Sequence, residues 1–241
     1  TVVISAAAHC NDITKVVEPV FQKHAGSIYY INLTKDDYKL GGSSFGQILS
    51  KIGSETPDIK DTAYVKQVFD VVQQLIKNDA IAAGHDVASG GLITTLLEMC
   101  FADQNLGAEL DLSALNEKDS IKLLFAENSG IVFQAKNDET IQAYTEALNI
   151  VKIGDVTESD VLSIINQQEV YTLTVSRLRD VWFKTSYLFD TEQTANSLAK
   201  ARFENYKHQP LSYQFPKDFT GILKDIPFAN RPKAAIIREK G

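Results

Sequence analysis

"AIAAGHDVASGGLITTLLEM", residues 80–99, decides how this chain is read. The run Ala80-Ile81-Ala82-Ala83 is short and apolar, of strand length, and it leads into His85 and Asp86. Ser89-Gly90-Gly91 then opens a helical pattern that puts Leu92, Leu96 and Leu97 on one face. A carboxylate therefore sits between a strand end and a glycine-led helix start. Helix N-termini carry unpaired N–H groups and attract phosphate. Gly90 and Gly91 leave room for a ligand to approach the backbone, and Mg²⁺ favours carboxylate oxygen alongside water and substrate phosphate. The pattern suits a Mg-nucleotide, with Asp86 on the metal and the ligand against the backbone at Gly90. The competing reading makes Asp86 an Asx turn, Ser89 a helix cap and His85 a packed or turn-stabilising side chain.

Working outward, "GSIYYINL" (26–33) reads as a strand rich in β-branched and aromatic residues. Residues 1–8 also read as a strand, and "DITKVVEPVFQKH" (12–24) as an amphipathic helix capped at Asn11 or Asp12 and bent by Pro19. Between 61 and 78 the period is helical, with Val65, Val68, Phe69, Val72, Leu75 and Ile76 on the apolar face. "GAELDL", "SGIVFQAK", "VKIGDVT" and "EVYTLTV" are strand patterns, the last two closing the sheet. "KDSIKLLFAE" and "NDETIQAYTEALN" are helical, the latter capped by Asn137 or Asp138. Alternation without repeat predicts an α/β or α+β fold with a mixed sheet and packed helices.

Beyond Val175 the texture changes. Residues 176–208 read as a helical arm of one helix or two, whose cluster Trp182, Phe183, Tyr187, Leu188 and Phe189 suits packing rather than ligand stacking. Four of the six prolines fall between 210 and 232, a stretch without regular period, and residues 209–230 read as an extended linker. The predicted organisation is a domain over 1–175, the arm, the linker, and a strand pattern over 231–241. A start directly in a β-like run and a stop just after a new strand suggest a segment of a longer protein.

The totals narrow the class. The chain has 241 residues, 44% hydrophobic and 23% charged, with net charge −7 and pI near 5.1. No diffuse basic surface invites nucleic acid or an anionic membrane, and no apolar run approaches the ~18 residues of a membrane span. Cys10 and Cys100 lack metal-type spacing and read as reduced core residues of a cytoplasmic protein.

A second glycine-rich turn, "KLGGSSFG" (39–46), also opens a helix, and Gly41, Gly42 and Ser43 could face an anion or simply cap it. It formally matches the nucleophile elbow at Ser44, but the preceding "TKDDYKL" is polar where a hydrophobic strand is required, so a serine hydrolase using Ser44 and His85 is disfavoured. Glu127 and Asn128 in "FAENSG" read as a turn, with metal or substrate contact as the alternative.

Several phrases in order carry a family resemblance: "TVVISAAAHCNDITKVVEP", "YKLGGSSFGQILSKIG", "GHDVASGGLITTLLEMCFA", "LRDVWFKTSYLFD" and "RPKAAIIREKG". They resemble the C-terminal part of the synthetase region of large single-chain phosphoribosylformylglycinamidine (FGAM) synthases, over nearly the whole chain. The resemblance implies a second aminoimidazole-ribonucleotide-synthetase-like unit, then the start of a truncated glutaminase domain at 231–241. It implies a purine-biosynthetic ligase that uses ATP, with ammonia from the glutaminase converting formylglycinamide ribonucleotide to the amidine. Preceding synthetase domains and the glutaminase domain would be its partners. It further implies that Asp86 ligates the Mg²⁺ of an auxiliary, structural ATP or ADP, and that the residue two places on contacts the nucleotide. That residue is usually Ser; here it is Ala88, which removes a hydroxyl and leaves a backbone N–H, with Ser89 placed to substitute by a small shift. The segment alone is expected to be inactive. A purely structural or interface module is the alternative reading.

Overall fold

Residues Ile28–Asn32 (β1, IYYIN) are buried at every position, and that fixes the architecture. Successive strand side chains point to opposite faces, so burial at all five requires cover on both sides. Ile28 and Tyr30 enter one hydrophobic cluster and Tyr29 and Ile31 another. β1 is thus an inner strand with helices above and below.

The computed structural model describes residues 5–8, 12–35, 38–195, 197–205, 214 and 216–218. One compact unit spans Lys15–His208; a second comprises Thr1–Thr14 with Gln209–Gly241, where few residues are described. In the first unit, in chain order, come β1, α1 (Ser44–Ile48), α2 (Thr62–Lys77), β2 (Ile81–Val87), α3 (Gly91–Phe101) and β3 (Gly107–Asp111). There follow α4 (Ser120–Phe125), β4 (Gly130–Ala135), α5 (Asp138–Leu148), β5 (Ile150–Thr157), β6 (Val161–Asn166), β7 (Glu169–Thr174), α6 (Val175–Gln193) and α7 (Leu198–Glu204). The strands form a seven-stranded sheet in the order β2-β4-β1-β5-β3-β6-β7. Pairing is antiparallel throughout except for β3 with β6, so the expected mixed sheet is observed.

The two faces differ in extent. On one, α3 and α4 contribute Leu92, Leu96, Met99, Leu123 and Leu124 to a cluster that also holds Ala108, Leu110, Leu162 and Ile164 of β3 and β6. On the other, Val68 and Leu75 of α2 and Ile141 and Leu148 of α5 cover only the β2-β4-β1-β5 half. The back of β6 and β7 is left open, with Ile165 and Val170 exposed.

Helix starts follow their caps. Asp61 accepts the Tyr64 N–H at 3.0 Å at the head of α2, and Asn137 accepts the Glu139 N–H at 2.9 Å at the head of α5. In α2 the buried stripe runs through Val68 and Leu75, and Phe69, expected on that face, is exposed.

Four sequence expectations change. Within 12–24 a single 3₁₀ turn, Ile13–Lys15, replaces the amphipathic helix. Asp12 does cap it, accepting the Thr14 N–H at 3.0 Å, but the segment beyond is irregular and is held by β2 and α3: Gly84 N–H donates to the Glu18 carbonyl at 3.1 Å and Phe21 N–H to the Met99 carbonyl at 3.0 Å. Two β-branched valines followed by Pro19 lower the helical alternative. β6 was not foreseen, and β5 is an inner strand beside β1 rather than a closing one. Residues 5–8 carry no strand, and residues 1–4 lie outside the described residues.

The arm is two helices. α6 packs on α3, with Phe101 and Trp182 ring centroids 6.0 Å apart, and Tyr187 stacks on Phe203 of α7 at 4.8 Å. Phe189 stays exposed. Cys100 is free and buried, and burial pushes its thiol up to about 12. Cys10 and the expected linker and glutaminase strand lie outside the described residues, apart from 214 and 216–218.

Candidate functional site

The site is assembled where β2 ends and α3 begins. Gly90 and Gly91 both take positive φ, +90° and +75°, a region that L side chains resist. At Gly91 a Cβ would lie 2.6 Å from the Leu124 carbonyl oxygen and 2.9 Å from that of Ala126. Gly91 therefore lets the head of α3 press against the end of α4. The N-cap residue is Gly90 and makes no side-chain cap, so Ser89 does not cap this helix. Ala88 and Ser89 are exposed beside it.

Asp86 points outward, with its side chain 78% exposed. Its backbone carbonyl is held twice, by His85 Nδ1–H at 2.7 Å and by the hydroxyl of the buried Thr95 at 3.2 Å. A carbonyl can only accept, so the His85 proton sits on Nδ1. The same Nδ1 lies 3.3 Å from Asp86 Oδ1, and Nε2 faces Glu98 Oε2 at 3.5 Å.

The second turn is built differently. Ser43 caps α1, accepting the Gly46 N–H at 3.1 Å and donating its hydroxyl to the Leu40 carbonyl at 2.7 Å. Gly41 N–H donates to the Glu55 carbonyl at 2.8 Å, Gly42 N–H to Ile52 at 2.7 Å and Ser43 N–H to Leu40 at 3.2 Å. The amide groups expected to face an anion here are bound to protein carbonyls.

Glu127 joins the two turns. Its Oε1 accepts the N–H of Ser44 and the N–H of Gly90, each at 2.8 Å. Partial burial pushes this carboxyl up, but the Gly90 and Ser44 amides and the Ser44 hydroxyl together outweigh it and hold Glu127 below the usual carboxylate range. Sequence reasoning saw Glu127 as a turn residue; the spacing of 83 and 37 residues to its donors hides the contact. Neighbouring Asn128 is buried and donates to the Thr34 hydroxyl, which anchors the loop after β1.

This geometry dismantles the hydrolase alternative. The Ser44 amide and side chain are engaged with Glu127, and both His85 nitrogens face Asp86 and Glu98. Among the described residues no group of three or more His, Cys, Asp or Glu could hold a metal. An exposed single carboxylate still fits Mg²⁺, which keeps several waters and takes its remaining oxygens from phosphates.

Residues 30–166 match the family described as AIR synthase related protein, C-terminal domain, and the chain belongs to that family. It is 34% identical over 253 residues to the probable phosphoribosylformylglycinamidine synthase, chloroplastic/mitochondrial, of Arabidopsis thaliana, covering 99% of this chain and 18% of that protein. It is 32% identical over 255 residues to the human phosphoribosylformylglycinamidine synthase, covering 100% of this chain and 19% of that one. The chain thus spans about a fifth of the length of these relatives. Among solved structures, Thermotoga maritima PurL complexed with FGAR aligns with TM-score 0.55 at 15% identity, over 69% of this chain and 30% of that one. The same protein complexed with ATP aligns with TM-score 0.50. At such identity the likeness is one of fold.

Proposed function

We propose that this chain is the C-terminal part of the synthetase region of a cytoplasmic FGAM synthase, the glutamine- and ATP-dependent ligase of purine biosynthesis. The observation that carries the reading is the run of similarity to proteins of that name across 99–100% of the chain. Within the enzyme this segment would contribute half of an auxiliary Mg-nucleotide site, opposite the preceding synthetase domains. Asp86 would hold the metal, and bound Mg²⁺ would neutralise phosphate charge. Backbone at Ala88, Ser89 and Gly90 would line the phosphates. The Gly41-Gly42-Ser43 turn, drawn alongside through Glu127, would form the wall rather than the cradle, because its amides are already bound. Residues 209–230 would be the linker and 231–241 the first strand of the glutaminase.

A second reading has a specific observation behind it. Glu127 already supplies an internal anion to the Gly90 and Ser44 amides, so the glycine turns could be structural and the segment a packing module.

Titration of Mg-ADP into the complete polypeptide, wild type beside Asp86→Asn, separates the two. Binding that needs both Mg²⁺ and Asp86 supports the nucleotide site; equal binding by both proteins leaves the structural module. The 241 residues alone should form no product from the ribonucleotide, ATP and ammonia, and product formation would refute the assignment of an incomplete site.

A further inference from the structure

We propose that Thr95 and His85 are positioning residues for the Asp86 carboxylate. The inference rests on the reading of Asp86 as a metal ligand and adds how that ligand is held.

An exposed aspartate at the end of an edge strand is a poor ligand unless something fixes it. Each of its free torsions must be frozen on binding, and a misplaced carboxylate forfeits part of the metal's affinity. Asp86 belongs to β2, the sheet's edge, and its side chain is 78% exposed. Its own side chain has little to pack against, so restraint must come through the backbone and the adjoining ring.

The fold supplies both. Gly91, Thr95 and Glu98 stand at i, i+4 and i+7 of α3 and so share one helical face. Thr95 donates its hydroxyl to the Asp86 carbonyl at 3.2 Å; its other acceptor, Gly91, is at 3.5 Å. His85 Nδ1–H is shared between the same carbonyl at 2.7 Å and Oδ1 of the Asp86 side chain at 3.3 Å. One donor therefore fixes the peptide plane and the other biases the side-chain rotamer. Glu98 Oε2 lies 3.5 Å from the far nitrogen of the ring.

The test uses the complete polypeptide and reads binding of Mn²⁺-ADP, by electron paramagnetic resonance of the metal and by calorimetry, beside binding of metal-free ADP. Thr95→Val removes the hydroxyl at nearly constant shape, and Thr95→Ser restores it. His85→Phe removes both ring nitrogens, and His85→Asn restores a donor near the Nδ1 position. Thr95→Val and His85→Phe should each weaken Mn²⁺-ADP about ten-fold, leave metal-free ADP unchanged and broaden the Mn²⁺ spectrum, while Thr95→Ser and His85→Asn return close to wild type. Unchanged Mn²⁺-ADP affinity in both Thr95→Val and His85→Phe, with Asp86→Asn abolishing it, overturns the positioning role alone. Parallel loss of metal-free ADP binding overturns it too, since that marks general damage. If wild type shows no metal-dependent binding, or Asp86→Asn leaves it intact, the reading of Asp86 falls together with this one.

Discussion

The turns at 39–46 and 88–91 look alike in sequence, glycine pairs ahead of a helix, yet they are closed by different means. In the first, loop carbonyls of Ile52 and Glu55 take the Gly42 and Gly41 amides, and Ser43 supplies a conventional cap. In the second, no side chain of the turn caps α3; Glu127, from the other side of α4, takes the Gly90 amide. Glycine in both places answers a need for close approach by other protein backbone. A glycine-led helix start is therefore an anion site only where its amides stay open, and Glu127 shows the fold filling that role with its own carboxylate.

The largest expected effect separates the turns by how deeply each is built in. Gly91→Ala combines a left-handed φ with a 2.6 Å approach to the Leu124 carbonyl, so urea unfolding should show a loss of roughly 3 kcal/mol. An unchanged midpoint would mean that α3 can back away from α4. Gly41→Ala places a Cβ 2.1 Å from the Glu55 carbonyl, but in a half-buried loop free to shift, and about 2 kcal/mol is expected. Hydrogen exchange should quicken at the Gly41 and Gly42 amides and leave α3 protected; exchange spreading into α3 would contradict the separation of the two turns.

Glu127→Gln keeps an acceptor but loses the charge-assisted bonds to both turns, for roughly 1 kcal/mol at neutral pH. Because the folded-state pKa of Glu127 lies below its ordinary value of 4.5, its contribution is present above that value and fades as pH falls through the folded one. Wild type and variant should converge in stability at acid pH; a gap that persists there would mean the charge is irrelevant. Asp86→Asn is the smallest change, within ~0.5 kcal/mol in thermal unfolding, since its carboxylate is exposed. A substantial loss of stability would recast Asp86 as structural.

Much of the fold was legible because caps and period agree with packing. Asp61 and Asn137 mark the heads of α2 and α5, and the apolar, β-branched and aromatic run of β1 foretells a strand. Failures came where local signal and tertiary context diverge. The 12–24 segment has helical period, yet its Glu18 carbonyl and Phe21 amide pair with β2 and α3 instead. β6 is a six-residue run, VLSIIN, that marks itself only by pairing with β7 and, in parallel, with β3. In α2 the apolar face read from sequence is broader than the part that docks, and packing on α5 and the sheet buries Val68 and Leu75 while Phe69 stays exposed.

For the site, the sequence by itself placed Asp86 at a strand end and glycines at a helix start, because strand length and helical period are local properties of the chain. It also carried the family, through ordered phrases spread over the whole length. Tertiary structure decided which amides remain open, what holds Asp86, and that Ser44 and Gly90 meet at one carboxylate. The two Glu127 contacts join residues 37 and 83 positions apart, and no spacing rule reaches across such a gap. Only the sheet order and the pressing of α3 on α4 bring their backbones within hydrogen-bond distance.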